Sequence, residues 1–291
     1  MKKNEEENTR GQQLIHKITV YLLSFIVVAA VIGTVFFFYN RRPDNNEDGT
    51  ETTQEAAKAA LTEDEIEELY KAHRGEKEEP TQTEETSAEE PVSEEATEEE
   101  NTSKVDWEGL LAINPDVYAW IYVPGTSVDY PILQHATDNT YYLNYNIDGS
   151  YGYPGCIYTE NLNAKDFSDP NTVIYGHNMK AGTMFAGLHN FRDEAFFKEH
   201  DKVYIYTPEK ELEYTIFAAY VYDDRHLLYS FDFKNEEVYE NYLNNILTMR
   251  DMTSLIREDV EVTKEDKIIT LCTCMSKEPD KRLLVQAVLE P

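Results

Sequence analysis

The chain has 291 residues, a formal net charge of −30 at pH 7 and three cysteines. A charge this negative argues against nucleic-acid binding, which needs a basic surface, and three cysteines in a chain of this length do not make a disulfide framework. By its length the chain is expected to hold one or two domains.

An uncharged apolar run, ITVYLLSFIVVAAVIGTVFFFY, occupies residues 18–39. It is long enough to cross a bilayer as a helix, and it exceeds the apolar region of about 7–15 residues that is typical of a cleaved signal peptide. Four basic residues precede it, so the positive-inside tendency favours a cytoplasmic N-terminus. We therefore expect a cytoplasmic tail at 1–17, a single-pass membrane anchor at 18–39 and an extracellular remainder in the cell envelope.

Residues 40–104 are predicted to be an acidic, mostly disordered tether. Between 44 and 104 the chain holds 22 Asp/Glu, 5 Lys/Arg and few aromatic residues. Such a composition cannot bury enough apolar surface to offset the entropy lost on ordering. One stretch differs, because residues 56–74 combine good helix formers with four apolar side chains and predict a helix that is marginal on its own.

From Val105 to Pro291 the chain is rich in Tyr, Ile, Val and Phe, and it has the size of one globular domain. A short helix is predicted at its start, ending near Asn114-Pro115, and a second is predicted over 236–247. Eight runs of β-branched and aromatic residues bounded by turn formers predict strands. They lie at 119–123, 128–133, 155–159, 171–177, 202–207, 212–222, 267–273 and 282–289. Eight short strands with few helices predict a mainly β fold, a closed or nearly closed barrel.

Two cysteines, Cys272 and Cys274, lie one residue apart in TLCTC. Structural zinc sites space cysteines further apart and add a second pair, and redox pairs are usually Cys-x-x-Cys, so neither is favoured. Residues two apart on a strand share a face, so Thr270 and both cysteines are predicted to point the same way. A buried structural role for the cysteines stays open, as does a strained disulfide between them. The third, Cys156, is predicted to be a core residue.

If the last two predicted strands pair as a hairpin, Arg282 falls opposite Cys274, with Cβ atoms about 4.5–5.5 Å apart. A guanidinium there would stabilise a thiolate and a developing oxyanion. His177 ends the apolar run TVIYG, where a strand meets a loop, and such loops commonly carry functional residues. A surface role for Arg282 and a structural role for His177 are the alternatives. His200 and His226 lie in charged contexts that are typical of the surface.

Three stretches resemble the catalytic blocks of class B sortases: DPNTVIYGHNMKAGTMF at 169–185, TLCTC at 270–274, and the arginine that follows at 282. The segments INPDVYAWIYVPGTSVDYPILQ (113–134) and DNTYYL (138–143) are similar to the class B domain opening. The resemblance implies an eight-stranded sortase barrel over residues 105–291. It also implies a cysteine transpeptidase on the outer face of a Gram-positive cell, with no metal or organic cofactor.

The resemblance makes Cys274 the nucleophile, His177 its acid/base partner, and Arg282 the group that positions substrate and stabilises the oxyanion. The residues expected to contact substrate are Asn139, Leu143, Thr270, Cys272 and Thr273. The class B motif usually has serine where this chain has Cys272, and sulfur is the weaker hydrogen-bond partner. The implied partners are secreted proteins with a C-terminal sorting signal, cleaved after threonine, and an amine of a cell-wall precursor or a pilin.

Two other interpretations stay open. A cell-wall cysteine peptidase of papain-like order would pair Cys156 with His177 or His189. An anchored adhesin or scaffold would use the β domain without catalysis.

Overall fold

The computed structural model of the protein describes residues 60–75 and 104–291. No helix within these two ranges is both long enough and apolar enough to cross a bilayer. The predicted tail at 1–17, the predicted anchor at 18–39 and most of the predicted tether at 40–104 lie outside them.

The described part of the chain contains one mixed sheet of nine strands. They are β1 (Val117–Tyr122), β2 (Asp129–Leu133), β3 (Ile157–Thr159), β4 (Asn171–Tyr175), β5 (Lys202–Tyr206), β6 (Glu211–Asp223), β7 (Leu255–Ile256), β8 (Ile268–Met275) and β9 (Glu278–Leu289). Their order is β5-β1-β2-β3-β4-β8-β9-β6-β7, and a further pairing of β5 with β6 closes the first eight into a barrel. These eight are the predicted strands, so the eight-stranded barrel is confirmed; the two-residue β7 was not predicted and pairs with β6.

Six α-helices and one 3₁₀ helix surround the barrel within the same ranges. They are α1 (Glu63–His73), α2 (Trp107–Ile113), α3 (Tyr141–Asn144), the 3₁₀ helix (Phe185–Arg192), α4 (Glu194–Glu199), α5 (Leu227–Ser230) and α6 (Glu236–Leu247). The helix predicted at 236–247 is confirmed as α6. It begins where the Asn235 side chain accepts hydrogen bonds from the backbone of Glu237 and Val238, which satisfies two of the unpaired donors of its first turn.

Side chains alternate between two apolar layers along the strands next to α6, because successive residues of a strand face opposite ways. On β8, Ile269 and Leu271 belong to the layer that fills the barrel and reaches α1. Ile268 and Cys272 belong to a second layer on the outer face of β4, β8, β9 and β6, beneath α6. The outer face of β8 is therefore covered along much of its length.

Residues 60–75 belong to the folded domain, although their composition assigned them to the tether. Ile66 and Tyr70 of α1 are buried, and the Tyr70 ring meets the Tyr130 ring edge-on with centroids 5.7 Å apart. The Arg74 guanidinium forms an ion pair of 2.9 Å with Asp129 and lies over the rings of Trp120, Tyr122 and Tyr206. The helix predicted within 56–74 is thus confirmed, and the domain boundary predicted at Val105 is corrected, since α1 contributes to the core.

Candidate active site

The β8–β9 hairpin places the predicted nucleophile opposite the predicted arginine. Cys274 pairs with Arg282 in the hairpin register, as the sequence predicted. Cys274 is exposed, and Arg282 is half-buried on the neighbouring strand. Nη1 of Arg282 donates to the carbonyl oxygens of Pro279 and Lys281, each at 2.9 Å. These two bonds hold the guanidinium at the rim of the hairpin, on the strand beside the thiol.

Strand β4 brings His177 to the same end of the barrel. It runs parallel to β8 with Tyr175 opposite Cys272, so the residue two positions further, His177, reaches the level of Cys274. The Gly176 amide donates to the Cys272 carbonyl at 3.2 Å. A Cβ on Gly176 would lie 2.4 Å from a methyl of Ile157 and 2.7 Å from the Phe185 ring. Only glycine fits between β4 and His177 without displacing these neighbours.

The His177 imidazole is half-buried and oriented by its surroundings. Its Nε2 donates to the Leu143 carbonyl at 2.8 Å, and the Tyr153 ring lies edge-on to it with centroids 5.1 Å apart. The next residue, Asn178, donates through Nδ2 to the Cys274 carbonyl at 2.9 Å. The loop that follows His177 is therefore tied directly to the strand end that carries the thiol.

A groove of about 390 Å³ joins the three predicted catalytic side chains. His177, Cys274 and Arg282 all line it. Three members of the predicted substrate-contacting set line it as well, namely Leu143, Cys272 and Thr273. The hydroxyl of Thr273 itself donates to the Gly176 carbonyl at 2.8 Å, so this side chain joins β8 to β4.

The three cysteines, all unpaired in the structure, differ in their environments. Cys272 is 8% exposed, and burial raises its pKa to about 12, against the opposing effect of the Arg282 charge. Burial also raises the pKa of the Cys156 thiol well above its ordinary value, and this side chain is 1% exposed. Because the thiolate is the nucleophile, the exposed Cys274 is the cysteine suited to attack, and the papain-like pairing of Cys156 is disfavoured.

Two predicted substrate-contacting residues lie elsewhere. Thr270 shares the outer face with the cysteines, but it is fully buried. Its hydroxyl donates to Asn171 Oδ1 and accepts from Gln286 Nε2, each at 2.8 Å. Thr270 is absent from the groove lining, so its predicted substrate contact is corrected to a structural role. Asn139 is also absent from that lining, and its Oδ1 accepts from the Asn161 amide at 2.8 Å.

Sequence reasoning missed Glu160 as a titratable group of the groove and assigned His226, which also lines it, to the surface. Nε2 of His226 donates to Oε1 of the buried Glu160 at 2.7 Å. Burial raises the pKa of the Glu160 carboxyl, and the hydrogen bond and charge of His226 oppose that rise. His226 is half-buried, so its interpretation as a surface residue is corrected. The only signal in the sequence was the position of Glu160 directly after the predicted strand at 155–159, since His177 likewise lies at the end of a predicted strand.

The comparison with known proteins covers the part of the chain that carries the groove. The family model of the sortase domain matches residues 121–290. Sortase B of Listeria monocytogenes is 35% identical over 182 residues, which are 62% of this chain and 72% of that protein. The X-ray structure of Clostridium perfringens sortase B is similar with a TM-score of 0.58 and 33% identity, covering 63% of this chain and 99% of that one.

A further similar structure is that of a Streptococcus pyogenes class B sortase described as involved in pilus biogenesis. It has a TM-score of 0.54 and 33% identity, and the match covers 64% of this chain and 98% of that one. The relatives therefore resemble this chain in sequence and in fold across the barrel.

Proposed function

This chain belongs to the sortase family, as a cysteine transpeptidase of class B, and from that premise we propose a specific reaction for it. It cleaves a C-terminal sorting motif of secreted proteins after a threonine and transfers the acyl group to an amine of the cell wall. The observation that carries the proposal is the convergence on one groove of His177, just after β4, with Cys274 on β8 and Arg282 on β9. A nucleophile, a proton carrier and a cation for the oxyanion are the groups that acyl transfer requires.

In the first half of the reaction, the Cys274 thiolate attacks the carbonyl carbon of the substrate threonine. The carbonyl oxygen becomes an oxyanion, which the Arg282 guanidinium stabilises. The C–N bond then breaks, and the imidazolium of His177 gives its Nδ1 proton to the departing amine. A thioester between Cys274 and the threonine acyl group remains.

In the second half, the acceptor amine attacks the thioester, neutral His177 takes the amine proton, and the Cys274 thiolate leaves. The Leu143 carbonyl accepts from Nε2 of His177. This bond keeps Nδ1 as the nitrogen that exchanges protons with substrate. The sulfur of Cys272 lies in the groove where the class B motif usually has a serine hydroxyl, so substrate receives a weaker hydrogen bond at this point.

The reaction takes place outside the cell membrane. The uncharged run at residues 18–39 supports a single-pass anchor, and the basic residues before it support a cytoplasmic N-terminus. The catalytic domain then faces the secreted proteins and the cell-wall precursors that are its substrates.

One comparison favours a second candidate for the acceptor. The similar Streptococcus pyogenes class B sortase is described as involved in pilus biogenesis. In that case the acceptor amine of this chain is a pilin lysine, and the first half of the reaction is unchanged.

A peptide-library assay tests the proposal. The full-length chain, in detergent, is incubated with peptides of varied sorting motif, with a cell-wall-type oligoglycine, with a pilin-type lysine peptide, or with no amine. We expect cleavage after threonine, an acyl-enzyme mass on the peptide that contains Cys274, and transfer to one of the amines. The amine that is used decides between the two acceptors, and hydrolysis with no transfer to either amine would overturn the proposal.

A further inference from the structure

Helix α1 lies outside the region that the sortase-domain model matches, residues 121–290, yet its contacts reach both segments that flank His177. One flank is the histidine loop, residues 178–184, which follows His177. The other is the segment 143–151, which contains the Leu143 carbonyl that accepts from His177 Nε2. A helix that touches both flanks is placed to control the position of the imidazole.

The contact with the histidine loop is made by hydrogen bonds. The Thr183 hydroxyl donates to Glu63 Oε1 of α1 at 2.8 Å. The next amide, of Met184, donates to the Tyr130 hydroxyl at 2.9 Å, and that hydroxyl donates to Glu67 Oε2 of α1 at 3.4 Å. Two successive residues at the end of the loop are thus bound to α1, one directly and one through Tyr130.

The histidine loop carries this anchoring back to His177. Its two ends pair as an antiparallel bridge between Asn178 and Met184, and the Phe185 amide donates to the His177 carbonyl at 2.9 Å. A shift of Thr183 and Met184 therefore moves the backbone of His177. The other end of the loop is fixed independently, through the bond from Asn178 to the Cys274 carbonyl.

The second flank is bound two residues before α1, by the backbone that leads into the helix. The Leu61 amide donates to Asp148 Oδ2 at 3.3 Å, and Asp148 also accepts from the Ser150 amide and hydroxyl at 3.0 and 2.6 Å. This turn belongs to the segment that presents Leu143 to the imidazole. The α1 segment thus braces the loop that carries the histidine and the segment that holds its Nε2.

We propose that Glu63 and Thr183 are positioning residues for His177, and that docking of α1 sets the proton-transfer geometry of the site. The inference rests on the proposed role of His177, and it adds an element from the acidic N-terminal region to the reaction. The hydrogen bond between Thr183 and Glu63 acts on the position of His177. It leaves the thiol in place, because Cys274 and Arg282 are held by the β8–β9 pairing. Loss of the bond therefore slows turnover without weakening the binding of the sorting peptide.

The test compares Thr183→Val, which removes the hydroxyl at nearly constant volume, with Thr183→Ser, which keeps it. In the full-length chain we expect Thr183→Val to lower kcat about tenfold, because small misplacements of a reacting group are costly. We expect KM for the sorting peptide to stay within about twofold and Thr183→Ser to recover most of kcat. Glu63→Ala should match Thr183→Val, and the double variant should be no worse than either single variant, since both remove one bond.

The matched control is Asp64→Ala, which removes the neighbouring carboxylate of α1, an exposed residue. It should leave kcat unchanged. Three results would each overturn the inference. They are a wild-type kcat in Thr183→Val, an equal loss of kcat in Asp64→Ala, and additive losses of kcat in the double variant. The inference would also be overturned if Thr183→Val lowered the thermal midpoint by more than about 5 °C and Thr183→Ser did not restore it. The bond between Thr183 and Glu63 would then only stabilise the fold.

A second readout separates this inference from the proposed function. Diethyl pyrocarbonate modifies an accessible neutral imidazole, and peptide mass spectrometry locates the modification at His177 without any sorting peptide. We expect faster modification of His177 in Thr183→Val and Glu63→Ala, and the wild-type rate in Asp64→Ala and Thr183→Ser. Equal rates in all variants would overturn the inference even in an active transpeptidase, whereas a wild-type chain that transfers no acyl group would overturn the proposed function alone.

Discussion

The outer face of the β8–β9 hairpin has a covered half and an open half, and the two differ in chemistry although they share strands and direction. In the covered half, Cys272 lies in the apolar layer beneath α6, and Thr270 is hydrogen-bonded to the buried Gln286. In the open half, Cys274 is exposed and Arg282 stands opposite it. Cys272 and Cys274 face the same way, because residues two apart on a strand share a face. The difference expected in their reactivity therefore comes from what covers each thiol.

Around Thr270 the covered half is also closed to substrate, because Thr270 is fully buried and its hydroxyl bonds to neighbouring side chains. Gln286 Nε2 donates to the Thr270 hydroxyl and to the Tyr242 hydroxyl, at 2.8 and 2.7 Å. Thr270 in turn donates to Asn171. These buried hydrogen bonds stabilise one arrangement of the core, whereas the open half leaves the Cys274 thiol exposed to substrate.

The largest expected difference between the halves is in catalysis. Cys274→Ala should lower kcat/KM for a sorting peptide about 10⁴-fold, because removal of a nucleophile abolishes the covalent route. Cys272→Ala, two residues away on the same face, is the matched control and should keep activity within about tenfold, since it changes only a groove contact. Steady-state assays of both variants measure the contrast, and an equal loss in the two would remove the distinction between the halves.

Alkylation gives the next largest difference. At pH 8 a thiol with a pKa of about 12 is ionised to about one part in 10⁴, and Cys272 has such a pKa because of its burial. Iodoacetamide should therefore modify Cys274 at least about 100-fold faster than Cys272 at this pH. As the pH rises towards 12, the Cys272 thiolate fraction increases, so its rate should rise with pH as long as the fold persists. Peptide mapping of the native chain measures both rates, and equal rates at pH 8 would show that α6 does not seal the covered half.

The smallest expected effect on activity belongs to Thr270→Val. Catalysis should stay within about twofold, while the free energy of unfolding should fall by about 1–3 kcal/mol, because Gln286 and Asn171 each lose a buried partner. Thr270→Ser keeps the hydroxyl and should retain most of that stability. Chemical denaturation and peptide kinetics distinguish the two roles, and a raised KM at unchanged stability would return Thr270 to the substrate site.

The parts of this protein that the sequence predicted are those determined locally. Each barrel strand is recognisable from its β-branched and aromatic residues between turn formers. The pairing of Cys274 with Arg282 joins two strands that are neighbours along the chain. The position of His177 depends on a pairing between β4 and β8 that is distant in sequence. Its assignment therefore rested on the resemblance of its motif.

The features that could not be predicted depend on tertiary contacts between residues that are distant in sequence. Alternation placed Thr270 on the correct face, but it could not reveal that Gln286 and Asn171 enclose its hydroxyl. The hydrogen bond between Glu160 and His226 joins two residues 66 positions apart that share no sequence motif. In the case of α1, acidic residues dominate the composition, whereas the ring partner of its buried Tyr70 lies on β2 and the Trp120 ring beneath the adjoining Arg74 lies on β1.

The position of β9 has a consequence for how the enzyme is made. It comes last in chain order, yet it lies in the middle of the sheet, between β8 and β6. During synthesis the earlier strands emerge first, but the barrel cannot close and the arginine cannot meet the thiol until β9 has been made. A partly synthesised chain therefore lacks the β8–β9 pairing that sets Arg282 opposite Cys274.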